Sequence, residues 1–198
     1  MNRSVKIFII LFILVFIPVI IYSAEADKKE IKLEYKPTAV IKKGLTAIGN
    51  LKIFIDNLKS DDSGNEVGKN SEKKEKEISI ISKESNGPNY LVNKAFNKEF
   101  KGIGFAVVGE KAQADRILGG TIIKFWCEET SLYQAVVRLK IEVKDKNGKV
   151  IFSKIYAETA KRFGRSLSEE NYNESFSEAT RHMIETMFAD NEFIKSLI

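Results

Sequence analysis

From Val137 to Lys144 the sequence alternates without a break, with Val137, Leu139, Ile141 and Val143 set against Arg138, Lys140, Glu142 and Lys144. A period of two puts the apolar side chains on one face of a strand and the charged ones on the other. Asp145-Lys146-Asn147-Gly148 follows. Asn-Gly between two such runs is a strong hairpin signal, because both residues tolerate the positive φ of a tight turn. Val150, Phe152 and Ile155 then continue as the return strand. Upstream, Ala114-Asp115-Arg116-Ile117-Leu118-Gly119-Gly120 reads as a turn entering a strand that ends near Trp126 and Cys127. On it, strict alternation assigns Ile123, Phe125 and Cys127 to one face and Ile122, Lys124 and Trp126 to the other. Three successive antiparallel strands with one charged face predict a sheet that is wet on one side and covered on the other.

The cover is also legible. After Gly87-Pro88, Asn89 is a candidate cap for a helix carrying Leu91, Val92, Ala95, Phe96 and Phe100 at steps of three and four, ended by Gly102 and Gly104. Phe105 to Val108 reads as a further strand. Ser168 with Glu169 and Glu170 opens a second helix. Its stripe Tyr172, Phe176, Ala179, Met183 and Met187 suits the inner face of the sheet. Leu51 to Ile55 is an apolar strand, Ile31, Leu33 and Tyr35 alternate as a short one, and Ile78, Ile80 and Ile81 suggest another. The expected fold is α+β, with a mixed, mostly antiparallel sheet and two main helices packed on one face. Residues 1–26 are read as a signal peptide, 27–50 as an amino-terminal extension, and 51–198 as a single domain with a flexible loop at about 56–87.

The leader rests on Arg3 and Lys6, the hydrocarbon run Ile7 to Ile21, and the Ala-x-Ala exit at Ala24 and Ala26. The run is short for a spanning helix, although an uncleaved anchor is the alternative. No later segment is long and apolar enough to span a bilayer. The expected protein is therefore exported. The 198 residues carry a formal charge of +5. That mild excess, with no basic–aromatic cluster, argues against nucleic acid. One cysteine, Cys127, permits no internal disulfide, and one histidine, His182, permits no His-rich metal site.

No catalytic motif is present: no nucleophile elbow, no phosphate-binding glycine loop, no zinc-protease helix. Glu128 and Glu129 are adjacent on a strand and point to opposite faces, so they do not converge on one substrate atom. Asp61 to Glu66 lacks the spacing of a calcium loop. Cys127 alternates with apolar neighbours and reads as core. No cofactor and no metal is expected. The candidate binding residues are Trp126 and Tyr133, as surface aromatics, with Lys124 beside the former. Asp115 is the fourth, with the alternative that its carboxylate caps the turn near Ile117 and Leu118.

The order of parts carries a resemblance. A strand ends in an Asp-Asn loop (Ile53 to Asn57), then come a helix and a Gly-Phe-x-Val strand (Gly104 to Val107). Ala114-Asp115-x-x-Leu118-x-Gly120-x-Ile122 follows, then strands turning at Asp145-x-Asn147-Gly148, then a terminal helix. This resembles the YajG-like family of bacterial envelope lipoproteins. More distantly it is similar to the amino-terminal domain of TolB-type periplasmic proteins and to the penicillin-binding-protein activator lipoproteins. The resemblance implies a periplasmic protein, at or near the outer membrane, that binds envelope components without catalysis. Its partner would be an envelope protein or a lipid or peptidoglycan component. A small-ligand or lipid carrier is the alternative. The family's lipidated cysteine after the leader has no counterpart here, and the family supplies no catalytic residues to carry over.

Overall fold

The computed structural model describes residues 27–41, 51–61, 64–73, 76–164 and 166–198. The expected leader lies outside them. In chain order the elements are strands β1 (Lys28–Ile31), β2 (Lys52–Ile55), β3 (Lys59–Ser60), β4 (Glu66–Lys73) and β5 (Lys76–Ser82), helix α1 (Pro88–Ile103), and strand β6 (Ala106–Val107). The long strands β7 (Arg116–Glu129), β8 (Leu132–Asp145) and β9 (Val150–Phe163) come next, followed by helices α2 (Glu169–Ala189) and α3 (Asn191–Leu197).

Strand β7 is the spine. On one side β8 pairs with it antiparallel, from Arg116 opposite Asp145 to Glu129 opposite Tyr133. Outside β8 runs β9, also antiparallel. On the other side β2, β3 and β4 follow one another along β7, all parallel to it: Ile53 lies opposite Arg116, Lys59 opposite Thr121, and Gly68 opposite Cys127. Strand β6 flanks β2. Strand β5 folds back on β4, and β1 pairs parallel with β5 at the far edge. The sheet is mixed and mostly antiparallel, and α1 and α2 cover one face of it, as the sequence predicts.

Three expectations change. The span read as a loop at 56–87 contains β3 and β4 as well as β5, the strand expected at Ile78 to Ile81. Strand β4, Glu-Val-Gly-Lys-Asn-Ser-Glu-Lys, has Val67 as its single apolar residue, so no hydrophobic pattern announces it. It forms because the edge of β7 needs partners for its backbone N–H and C=O groups. Helix α1 is capped by Gly87 with Pro88 in its first turn, not by Asn89; proline suits that position because its missing N–H would be unpaired there anyway. Gly104, at φ 111°, ends it as expected.

The third change concerns faces. A bulge between Ile122 and Lys124 places Ile122 opposite Leu139 and Lys124 opposite Arg138, so one extra residue stands between two consecutive pairs. Alternation restarts there. Ile122 therefore joins Phe125 and Cys127 in the core, and Ile123 is exposed with Lys124.

The core lies between sheet and helices. All five stripe residues of α2, from Tyr172 to Met187, are fully buried. Phe125 of β7 stacks on Phe176 with ring centroids 4.1 Å apart. Residues 31–41, read as an extension ahead of the domain, contribute Ile31, Leu33, Tyr35 and Ile41 to the same core. Past β1 this segment lies extended along α2. The N–H groups of Lys32, Glu34 and Lys36 donate to Glu169 Oε2 (3.1 Å), Asn173 Oδ1 (2.9 Å) and Ser177 Oγ (2.8 Å). Two residues of extended chain advance about 6.6 Å and four helical residues about 6 Å, so side chains at i, i+4 and i+8 meet alternate amides. Tyr35 meanwhile donates its hydroxyl to buried Glu99 of α1 at 2.9 Å. The segment is a strap joining α1 and α2.

Candidate functional site

Away from the helices, the described residues leave the middle of the sheet face exposed or half-exposed, from Lys124 and Trp126 to Arg138 and Thr159. On β8 it presents Gln134, Val136, Arg138, Lys140, Glu142 and Lys144, the charged half of the alternating run. Pairing fixes the rows across it. Trp126 lies opposite Val136, which lies opposite Thr159; Lys124 lies opposite Arg138, which lies opposite Ala157; Thr121, Lys140 and Ile155 form the next row. Ile123 reaches the same surface through the bulge. Ile151 and Ile155 of β9 are 42% and 47% exposed.

The charges on this face are unequal. Glu142 is held by Lys140 at 2.8 Å and Lys144 at 3.9 Å. Glu128 lies 3.8 Å from Lys69, which is paired more closely with Glu77 at 2.7 Å. Those carboxylates hold the Lys69 ammonium above its ordinary value, its hydrogen bond to Glu77 being the largest cause. Lys124, Arg138 and Lys161 have no ion pair among the described residues. Lys124 and Arg138 are cross-strand neighbours, an arrangement of like charges that weakens a sheet. Two unpaired cations side by side, next to a half-buried indole and aliphatic neighbours, form a surface suited to an anionic, partly apolar partner.

The four residues singled out from the sequence separate. Trp126 and Lys124 stand together on this face. Tyr133 does not: it is fully buried on the opposite face, edge-on to Tyr172 at 4.9 Å, and its hydroxyl accepts the Ser168 N–H at 3.0 Å. Position 133 has the parity of Ala135 and Val137, so the core claims it. Asp115 is at the start of β7, where its carboxylate accepts the Lys52 N–H at 2.9 Å while its own N–H donates to the Lys52 carbonyl. It clamps β2 to β7, in place of the cap near Ile117. Arg138 and Val136 are the residues sequence reading passed over. They were visible as one charged and one apolar position, but their proximity to Lys124 and Trp126 depends on a register shifted by the bulge.

Several other titratable groups serve the fold. Glu128 and Glu129 point to opposite faces, as expected. Buried Glu129 accepts from the Tyr172 hydroxyl at 2.9 Å and from the Leu167 N–H at 3.1 Å. Burial, followed by the charge of Glu129, pushes the Tyr172 phenol up. Cys127 is buried, and burial raises its thiol far from any nucleophilic range. His182 lies on the outer side of α2, 3.9 Å from Glu178. A groove of about 1010 Å³ opens beside the start of α1, lined among others by Leu58, Lys59, Lys83, Tyr90 and Lys94. One half-buried amide lining it, Asn93, is already bonded to Leu58 and to the Asn89 carbonyl.

No family model and no curated protein matches this sequence. Among solved structures, a Xanthomonas campestris protein of family model DUF330 superposes with a TM-score of 0.52 at 12% identity, over 84% of this chain and 95% of that one. The two share a fold. A candidate lipoprotein from Caulobacter crescentus CB15 gives a TM-score of 0.45 at 9% identity, over 55% and 82%. A subunit of the PelC dodecamer from Paraburkholderia phytofirmans gives 0.39 at 15%, over 71% and 92%. Among the described residues no helix is long and apolar enough to cross a membrane.

Proposed function

We propose that this chain is an exported cell-envelope accessory protein, periplasmic and YajG-like, that acts by binding an envelope component through the uncovered face of β7, β8 and β9. The observation that carries the reading is the unpaired Lys124–Arg138 couple beside Trp126. A surface with no binding role gains nothing from placing like charges opposite each other, and sequences tend to break such local rules at functional positions. The basic start, short apolar run and Ala-x-Ala exit of residues 1–26 support export.

The carrier alternative draws less support. It needs a cleft between sheet and helices, and that space is filled by Phe125 on Phe176, by the Phe96, Phe100, Phe105 and Phe188 cluster, and by the strap.

The test is capture of partners from native envelope with the parent chain and with Lys124→Glu plus Arg138→Glu, followed by mass spectrometry of protein and lipid. The reading expects one component enriched by the parent and lost with the charge reversals. Equal recovery by both would contradict it.

A further inference from the structure

We infer that the uncovered face docks on a bilayer surface rich in anionic headgroups, so that the protein is held flat against the membrane by its sheet. The inference rests on the binding role proposed for this face and names its partner.

The choice of partner follows from where each residue type sits. In the middle rows of the face stand Lys124, Arg138 and Trp126, with Val136 and Ile123 beside them. The cores of protein–protein interfaces are depleted in charged residues and especially in lysine, with charges moved to the rim. Here a lysine and an arginine occupy the centre. A lipid surface prefers that mixture: tryptophan favours the headgroup level, and cations draw on the negative surface potential. The long stems of Lys124 and Arg138 can cover their aliphatic neighbours while the charged ends reach headgroups. The charge balance agrees. Six cations of this face (Lys69, Lys124, Arg138, Lys140, Lys144, Lys161) stand against three carboxylates (Glu77, Glu128, Glu142), each already near a lysine. The shape agrees as well, since β7, β8 and β9 are each 14 residues long and Lys124, Arg138, Ala157 and Thr159 are exposed across them on this side, while Ile117 at the start of β7 is buried there. A planar partner can touch all three strands together.

Trp126 is the only tryptophan in the chain, so its emission reports on this face alone. The exported full-length protein is mixed with vesicles of phosphatidylcholine, or of phosphatidylcholine with phosphatidylglycerol. The expected result is a blue shift of Trp126 and quenching by brominated lipid, seen with phosphatidylglycerol, weakened by added salt, and absent with phosphatidylcholine alone. Lys124→Glu with Arg138→Glu is expected to weaken partitioning about tenfold or more while the circular dichroism spectrum is unchanged. Unchanged emission with both vesicle types overturns the inference, as does equal partitioning of parent and variant. If vesicles leave Trp126 unchanged but an envelope protein shifts it, the lipid inference fails and the binding role of the face stands. If neither shifts it, both fail.

Discussion

Gly120 shows how narrowly single residues set this sheet. A Cβ built there would lie 2.0 Å from the Lys140 carbonyl oxygen, a backbone atom that cannot rotate aside, whereas one on neighbouring Gly119 meets Asp56 Cβ at 3.4 Å. Gly120→Ala is expected to destabilise the fold by about 3 kcal/mol, the upper range for overpacking, and Gly119→Ala by much less. Urea denaturation of both variants checks this, and equal losses would contradict it. The glycine pair was visible in the sequence as a bulge or close approach, but which of the two needed the space depends on the opposite strand. Ile123 makes the same point. Alternation extrapolated through it put Ile122 and Ile123 on the wrong faces, because a bulge leaves no mark in hydrophobic pattern. Tyr133 was misplaced for a different reason: a tyrosine can serve as core or as surface anchor, and its hydroxyl partner, the Ser168 N–H, is distant in sequence.

At the scale of elements, the strap and the α2–α3 corner can be tested separately. Asn173 accepts the Glu34 N–H and donates to the Lys32 carbonyl, both at 2.9 Å. Asn173→Ala is expected to cost about 1–3 kcal/mol and to speed hydrogen exchange at Glu34 and Lys36 before the rest of the sheet. Exchange that rises uniformly across the chain would show that the strap is not a separate unit. The alternation of Ile31, Leu33 and Tyr35 was legible as extended chain. Its partner was not, since Glu169, Asn173 and Ser177 look like ordinary polar positions of a helix until a strand is laid on them.

Asp190 closes the corner. Its carboxylate accepts from Lys154 Nζ at 2.8 Å and the Tyr156 hydroxyl at 2.7 Å, and caps α3 through the Glu192 N–H. Hydrogen bonding from Lys154, then Tyr156, holds it at about 2. An unfolded aspartate titrates near ~3.9, so the folded state binds fewer protons here and the stabilisation is complete above that value. It is lost as pH falls from about 4 through 2. Asp190→Asn is expected to be less stable than the parent at neutral pH, with the two stability curves converging over that acid range. Parallel curves would show that the carboxylate contributes nothing to this dependence.

Among the described residues the molecule is a sheet with one face closed by helices and strap and the other largely exposed. That asymmetry was readable from one strand, Val137 to Lys144, because half-burial imposes a period of two. What the sequence could not show was the parallel flank of β2, β3 and β4. Their contacts with β7 are made by backbone groups, and side chains as polar as those of β4 carry no signature of them. Nor could it show that Lys124 and Arg138 stand side by side. The proposed partner site is this exposed face. The direct test is site-specific photocrosslinking in living cells from Thr159, exposed in the Trp126–Val136 row, against Lys101, exposed on α1 across the molecule. Strong crosslinks to an envelope component from Thr159 and few from Lys101 are the predicted result. Crosslinks from Lys101 with none from Thr159 would contradict the claim.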